Sequence, residues 1–226
     1  MQTEKISEYL NVNRTVKDAY EMLASNIRFG SEFQAVKILA IASGKPGTGK
    51  TTLAVNLAGT MAAWGKKTLL IDADIRKPTK VKLLDGETIR GLSDYLQGQV
   101  ELEKVLCKTG IENFHYLTSG KNTSVPMELF CSDTFEFFLK DVKNRYAIVI
   151  IDTPSLSSVA DGSLIAARSD AVLLVTKTGR TKLYEIKKAK EQLEKVNANL
   201  LGVVLNRAKK DAYKKYFTAY NYLQER

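Results

Sequence analysis

Three short segments of this sequence hold residues whose types and spacing suit chemistry on phosphate. The first, Gly44-Lys45-Pro46-Gly47-Thr48-Gly49-Lys50-Thr51 with Thr52 behind it, fits the pattern GxxxxGK[ST]. Glycines are needed because such a loop wraps its backbone N–H groups around phosphate oxygens, and a side chain would block that approach. Lys50 then bridges the β- and γ-phosphates of ATP, and the Thr51 hydroxyl ligates Mg²⁺. The other two segments, Leu69-Leu-Ile-Asp72-Ala-Asp74 and Ile148-Val-Ile-Ile-Asp152-Thr-Pro154, each end an apolar run in a carboxylate. Phosphoryl transfer has a loose transition state, so a protein mainly positions groups and neutralises charge. An ordinary aspartate, with a pKa of about 4, is a feeble base for a phenol of about 10. Its work is to orient the acceptor hydroxyl, or a water, and to take the proton late. Asp152 is accordingly assigned with Thr51 to the Mg²⁺ shell. Asp72 is assigned to the acceptor and counted among the metal ligands too, and Asp74 supports either role.

A loop of this kind works between a strand and a helix, and the surrounding pattern supplies both. Ile38 to Ala42, Thr68 to Asp72, Ala147 to Ile151, Ala171 to Thr176 and Leu201 to Leu205 read as strands, with Phe114 to Leu117 as one more. Most are apolar on both faces, as strands inside a parallel sheet covered by helices must be. Between them, Thr51 to Trp64, Met127 to Asn144 and Lys182 to Asn197 have helical spacing, and residues 14 to 29 predict a further helix ahead of the first strand. The expected fold class is therefore α/β, a doubly wound, mainly parallel sheet with helices on both faces, of the P-loop NTPase kind. Both aspartate segments then finish at carboxyl strand ends, where open sheets bind ligands. With 226 residues and no repeat, linker or low-complexity stretch, one domain spanning 1–226 is expected, ending in a tail from about residue 208.

Composition narrows the function classes. Apolar residues at 44% and charged residues at 26% exclude a disordered or collagen-like chain. No apolar run approaches the roughly 20 residues that cross a bilayer, and the first residues lack a leader pattern, so a cytoplasmic location is expected. Two cysteines and one histidine, Cys107, Cys131 and His115, make neither a disulfide framework nor a usual zinc ligand set. Of the net charge of +9, +8 sits in residues 177–226, which hold 13 basic and 5 acidic side chains. That stretch is either a solvated helix face or a surface for an anionic partner.

Taken together, the glycine loop, Asp72-Ala-Asp74-Ile-Arg76-Lys77-Pro78 and Ile-Ile-Asp152-Thr-Pro154 resemble the Walker A, A′ and B motifs of the bacterial tyrosine kinases (BY-kinases) of capsule and exopolysaccharide synthesis. Arg90-Gly-Leu-Ser-Asp-Tyr-Leu96, Ser119-Gly120, Pro126-Met-Glu-Leu-Phe130 and Ser169-Asp-Ala-Val-Leu-Leu174 continue the resemblance, which covers about residues 15 to 222. It implies ATP-dependent phosphorylation of protein tyrosines, with autophosphorylation in a C-terminal tyrosine cluster. It also implies a transmembrane activator of the polysaccharide co-polymerase type that holds a separate catalytic chain at the inner face of the membrane. No nucleic-acid partner is expected.

The tail suits that reading. Four of the ten tyrosines, Tyr213, Tyr216, Tyr220 and Tyr222, fall in the last 14 residues. The first three could instead form one face of a packed helix. Asn206 and Arg207 follow the last strand, and in related P-loop ATPases an asparagine there reads the adenine edge, for which an amide has the paired donor and acceptor. A plain strand-end turn is the other reading. The sequence departs from the family in two places. Its ring-assembly motif Glu-x-x-Arg-x-x-Arg aligns with Asp18, Glu21 and Ala24, so both arginines are missing, with Arg28 one turn later as the substitute and a homo-oligomer left open. Lys45 is usual in the Min and Par ATPases, where it reaches the partner's nucleotide across a dimer. A dimerising switch ATPase of that type, in which water attacks ATP, is thus the competing function, with an ATP-binding scaffold as a third.

Overall fold

The computed structural model describes residue 10 and residues 13–30, 36–76 and 90–208. The tail tyrosines, Lys77 and Pro78 lie outside the described residues. Strands β1 (Ile38–Ala42), β2 (Thr68–Asp72), β3 (Leu106–Lys108), β4 (Phe114–Leu117), β5 (Ile148–Asp152), β6 (Ala171–Lys177) and β7 (Leu200–Asn206) form one sheet in the order β3-β4-β2-β5-β1-β6-β7. Every pairing is parallel except β3 with β4. β1 is central, flanked by β5 and β6, so the loop leaving it emerges where the strand order reverses. That is the position at which open α/β sheets bind ligands.

The two faces of each central strand are buried against different helices, as continuous apolar runs require. Leu39, Ile41, Leu70, Ile150 and Leu173 point to the side covered by α1 (Arg14–Phe29) and α2 (Lys50–Ala63). Ile38, Leu69, Ile71, Val149 and Ile151 point to the side that also holds buried residues of α5 (Pro126–Cys131) and α6 (Asp133–Arg145). Fully burying each such side chain stabilises the fold by roughly 1.5–3 kcal/mol. The remaining helices are α3 (Leu92–Leu96), α4 (Leu102–Val105), α7 (Asp161–Ala167) and α8 (Leu183–Lys195). No described helix is long and apolar enough to cross a membrane.

The expected strands all form, with ends moved by a residue or so. Three differences have physical causes. The single helix expected over Met127 to Asn144 is two helices, because the Ser132 hydroxyl accepts from the Phe135 N–H at 3.2 Å and caps α6 with extended backbone. β3, α3, α4 and α7 are too short to show a period. β7 is as apolar as a central strand yet lies at the sheet edge, leaving Val203 and Leu205 51% and 58% exposed.

Candidate functional site

Three strand ends converge. β1 ends at Ala42, and the glycine loop runs from there into α2, whose first residue is Lys50. Gly47 and Gly49 take φ of +75° and +95°, a left-handed region in which a Cβ is strained. At Gly49 a Cβ would also lie 2.2 Å from Nδ2 of Asn206. The loop is tied down on both sides. The Asn206 amide donates to the Thr48 carbonyl at 2.8 Å, while the N–H groups of Leu156 and Ser157 donate to the carbonyls of Ser43 and Gly44 at 2.9 and 3.1 Å.

Asp72 and Asp152 are register partners at the ends of adjacent strands, so their carboxylates stand side by side. Oδ2 of Asp152 accepts from the Thr51 hydroxyl at 2.5 Å, and Oδ1 of Asp72 accepts from the Asp74 N–H at 3.1 Å. Their other oxygens, Oδ1 of Asp152 and Oδ2 of Asp72, are buried with no hydrogen-bond partner among the described residues, as is Oγ1 of Thr48. Beneath them a cavity of about 10 Å³, room for one water, is lined by Thr51, Ala54, Val55, Leu70, Asp72, Tyr116 and Asp152.

Burial dominates the electrostatics. It pushes Asp152 up to about 6, against the pull of the Thr51 hydroxyl and the Lys50 charge. It holds Asp72 well above its ordinary range, helped by the charge on Asp152 and opposed by the Asp74 N–H and the Ser119 hydroxyl. Lys50, whose Nζ donates to Oγ of Ser43 at 3.0 Å, is lowered by burial in spite of Asp152 and Asp74. Burial thus sets Asp72 apart from the ordinary aspartate assumed from sequence.

The expected residues Gly44 to Thr52, Asp72, Asp74 and Asp152 are thus brought to one sheet edge. Asn206 joins them, but its amide is spent on the loop, and its Oδ1 accepts from the Arg207 N–H at 2.8 Å. Lys45 forms an ion pair within the chain, with Glu185 near the start of α8. Ala24, the position of a ring arginine, is wholly buried in the core with α2 rather than presented outward. Sequence reasoning missed Ser43, Glu185, Ser119 and the Arg76–Asp161 ion pair. Glu185 was legible as the third residue of a helix, where a glutamate caps the N–H of the residue three before it, here Lys182 at 3.1 Å.

A left-handed glycine loop leading into a helix, with two strand-end aspartates beside it, defines a P-loop ATPase, a fold that binds nucleotide. The AAA domain family profile matches residues 36–204. The tyrosine-protein kinase CpsD of Streptococcus agalactiae is 37% identical over 207 residues, which is 91% of this chain and 85% of that one. The crystal structure of the chimerical protein CapA2B2 superposes with a TM-score of 0.82 at 36% identity, covering 92% of this chain and 93% of that one. Further away, the septum site-determining protein MinD of Pyrococcus horikoshii, complexed with Mg-ADP, gives a TM-score of 0.64 at 28% identity over 77% of this chain and 71% of that one. The chain belongs to the bacterial tyrosine-protein kinases, within the AAA-domain ATPases, and is a protein-tyrosine kinase.

Proposed function

We propose that this kinase transfers the γ-phosphoryl group of ATP to tyrosines of its own C-terminal segment, Tyr213, Tyr216, Tyr220 and Tyr222, and to other protein tyrosines. It acts in capsule or exopolysaccharide synthesis, at the inner face of the membrane, under a transmembrane activator of the polysaccharide co-polymerase type. The observation that carries the chemistry is the register pair Asp72 and Asp152 standing beside Lys50 and Thr51. The glycine loop from Gly44 to Gly49 cradles the phosphates with its N–H groups, and Lys50 neutralises charge between the β- and γ-phosphates. Asp72 orients the acceptor phenol and takes its proton late, with Asp74 in support.

The buried, unpartnered oxygens of Asp72 and Asp152 and the Thr51 hydroxyl are hard oxygen donors of the kind Mg²⁺ takes. Thr51, Asp152 and Asp72 are the residues that would hold it, and it would supply neutralisation of the phosphate charge. Asn206, which is hydrogen-bonded to the loop at Thr48, and the adjoining Arg207 would meet the base of the nucleotide.

Incubation of the purified chain with γ-labelled ATP and Mg²⁺, with and without the cytoplasmic segment of a cognate activator, tests the reading. Label on the tail tyrosines is expected, and Lys50→Met and Asp72→Asn should each lower transfer a hundredfold or more. Release of free phosphate from an unlabelled protein would sink it in favour of a switch ATPase. The pairing of Lys45 with Glu185 weighs against one of the two features that favoured that alternative from sequence, the other being the basic C-terminal stretch.

A further inference from the structure

The ladder that aligns Asp72 with Asp152 stops at those two residues, yet Asp74 and the chain beyond it must also keep their place. One backbone bond continues it, from the Ala73 N–H to the Asp152 carbonyl at 2.9 Å. The next anchor is Arg76. Its Nε donates to Oδ2 of Asp161 at 2.6 Å and its Nη2 to Oδ1 at 3.1 Å, a forked contact that uses both oxygens of a carboxylate only 1% exposed. Asp161 is itself placed by the other strand end. It opens α7, and the next residue, Gly162, packs so close to Pro154 that a Cβ there would lie 2.7 Å from the Pro154 carbonyl. The loop after Pro154 is hydrogen-bonded to Ser43 and Gly44 at the start of the glycine loop. A continuous set of contacts therefore runs from the phosphate loop through the Asp152 strand end and α7 to Asp161, and from Asp161 back to the segment that carries Asp72 and Asp74.

We propose that the Arg76–Asp161 pair is a clamp that sets Asp72 and Asp74 relative to Asp152, so that Arg76 serves phosphoryl transfer as a positioning residue and not as a cation on the phosphates. Moving Arg76 onto a phosphate would strand a buried carboxylate without its partner, which is strongly unfavourable. Only arginine offers the planar fork that meets both oxygens at once, so lysine can keep the charge but not the geometry. Positioning matters at this site because the transition state is stabilised by groups already in place, and displacements of the order of an ångström are costly.

The proposal rests on the kinase reading, and its test separates the two. Arg76→Ala, Arg76→Lys, Asp161→Asn and the double variant Arg76→Ala/Asp161→Asn are assayed for kcat and KM for ATP, for binding of a fluorescent ADP analogue with Mg²⁺, and for cooperative melting. Expected are a loss in kcat of about tenfold or more in Arg76→Ala and Asp161→Asn, with ATP KM and ADP affinity within about twofold of the parent. Arg76→Lys should recover at least about threefold over Arg76→Ala, and the double variant should be no worse than the poorer single one. Loss of ADP affinity in parallel with kcat would place Arg76 on the nucleotide and overturn the proposal. Unchanged kcat, or losses that multiply in the double variant, would overturn it as well. If Arg76→Ala fails to melt cooperatively, Arg76→Lys and Asp161→Asn decide by the same criteria. A parent protein that releases phosphate without labelling tyrosine would sink the kinase reading alone, and the clamp would then be scored on phosphate release.

Discussion

Replacing Asp152 by asparagine should make the protein more stable while abolishing transfer. Asp152 is buried, and burial moves its midpoint from 3.8 up to about 6. A raised carboxylate destabilises the folded state wherever it is ionised there. At 1.36 kcal/mol per pH unit between the two midpoints, the cost approaches about 3 kcal/mol above pH 6. It falls as pH drops through 6, when the folded protein takes up the proton, and is gone below 3.8, when the unfolded chain is protonated too. Asparagine keeps the shape and can still accept from Thr51, but carries no charge. In EDTA and without nucleotide, Asp152→Asn at pH 7.5 should therefore melt above the parent by about 6–12 °C, given 2–4 °C per kcal/mol for a chain of this size. At pH 4.5 the gap should shrink to about a third. Differential scanning calorimetry at both pH values measures it, and labelled ATP checks that transfer is lost. A variant that melts at or below the parent at pH 7.5, or a gap that does not narrow in acid, would refute the argument that this carboxylate is held at the site against its own stability.

Two further substitutions probe the loop. Lys45→Ala breaks the pair between an exposed lysine and the nearly buried Glu185, and kcat for tyrosine transfer should stay within about threefold because the Glu185 carboxylate keeps the Lys182 N–H; a loss of a hundredfold would point to a role for Lys45 across a dimer. Gly49→Ala puts a Cβ at φ +95° and 2.2 Å from the Asn206 amide. Left-handed strain of about 1–2 kcal/mol and loss of a hydrogen bond of about 1 kcal/mol should lower ADP affinity at least about tenfold, measured by fluorescence titration, whereas retained affinity would mean the loop tolerates a side chain there.

What was legible in the sequence was local. The glycine loop, the two strand ends and the apolar runs are each contiguous, so their residue types report directly on a strand-to-helix turn and on burial. Two of the resemblance regions that carry no chemistry, around Asp170 and around Asp94 and Gly120, are structural locks between elements apart in the chain. Asp170, inside Ser169 to Leu174, accepts from the N–H groups of Lys37 and Ile38 at 3.0 and 2.8 Å and from Nζ of Lys143 at 2.5 Å, fixing the start of the central strand. Asp94 accepts from the N–H groups of Gly91 and Lys121 at 2.9 and 3.2 Å, and Gly120 at φ +79° leaves no room for a Cβ against it. That lock seats Ser119 beside Asp72. Arg76 and Asp161 stand 85 residues apart, and no local pattern could have joined them.

The same contacts bear on how the site can be fast without being loose. Lys50 rests on Ser43, Thr51 on Asp152, Asn206 on Thr48 and Lys45 on Glu185. Each contact that these groups make to a nucleotide is therefore an exchange of one hydrogen bond for another, with a net gain of only about 1 kcal/mol apiece. The gain that is not an exchange belongs to the carboxylate oxygens of Asp72 and Asp152 that have no hydrogen-bond partner among the described residues, because a buried oxygen that meets a cation recovers a desolvation cost already incurred. Affinity should thus be modest from the loop alone and should depend steeply on whatever cation meets those oxygens. Side chains already held near their working positions lose little further entropy when it does.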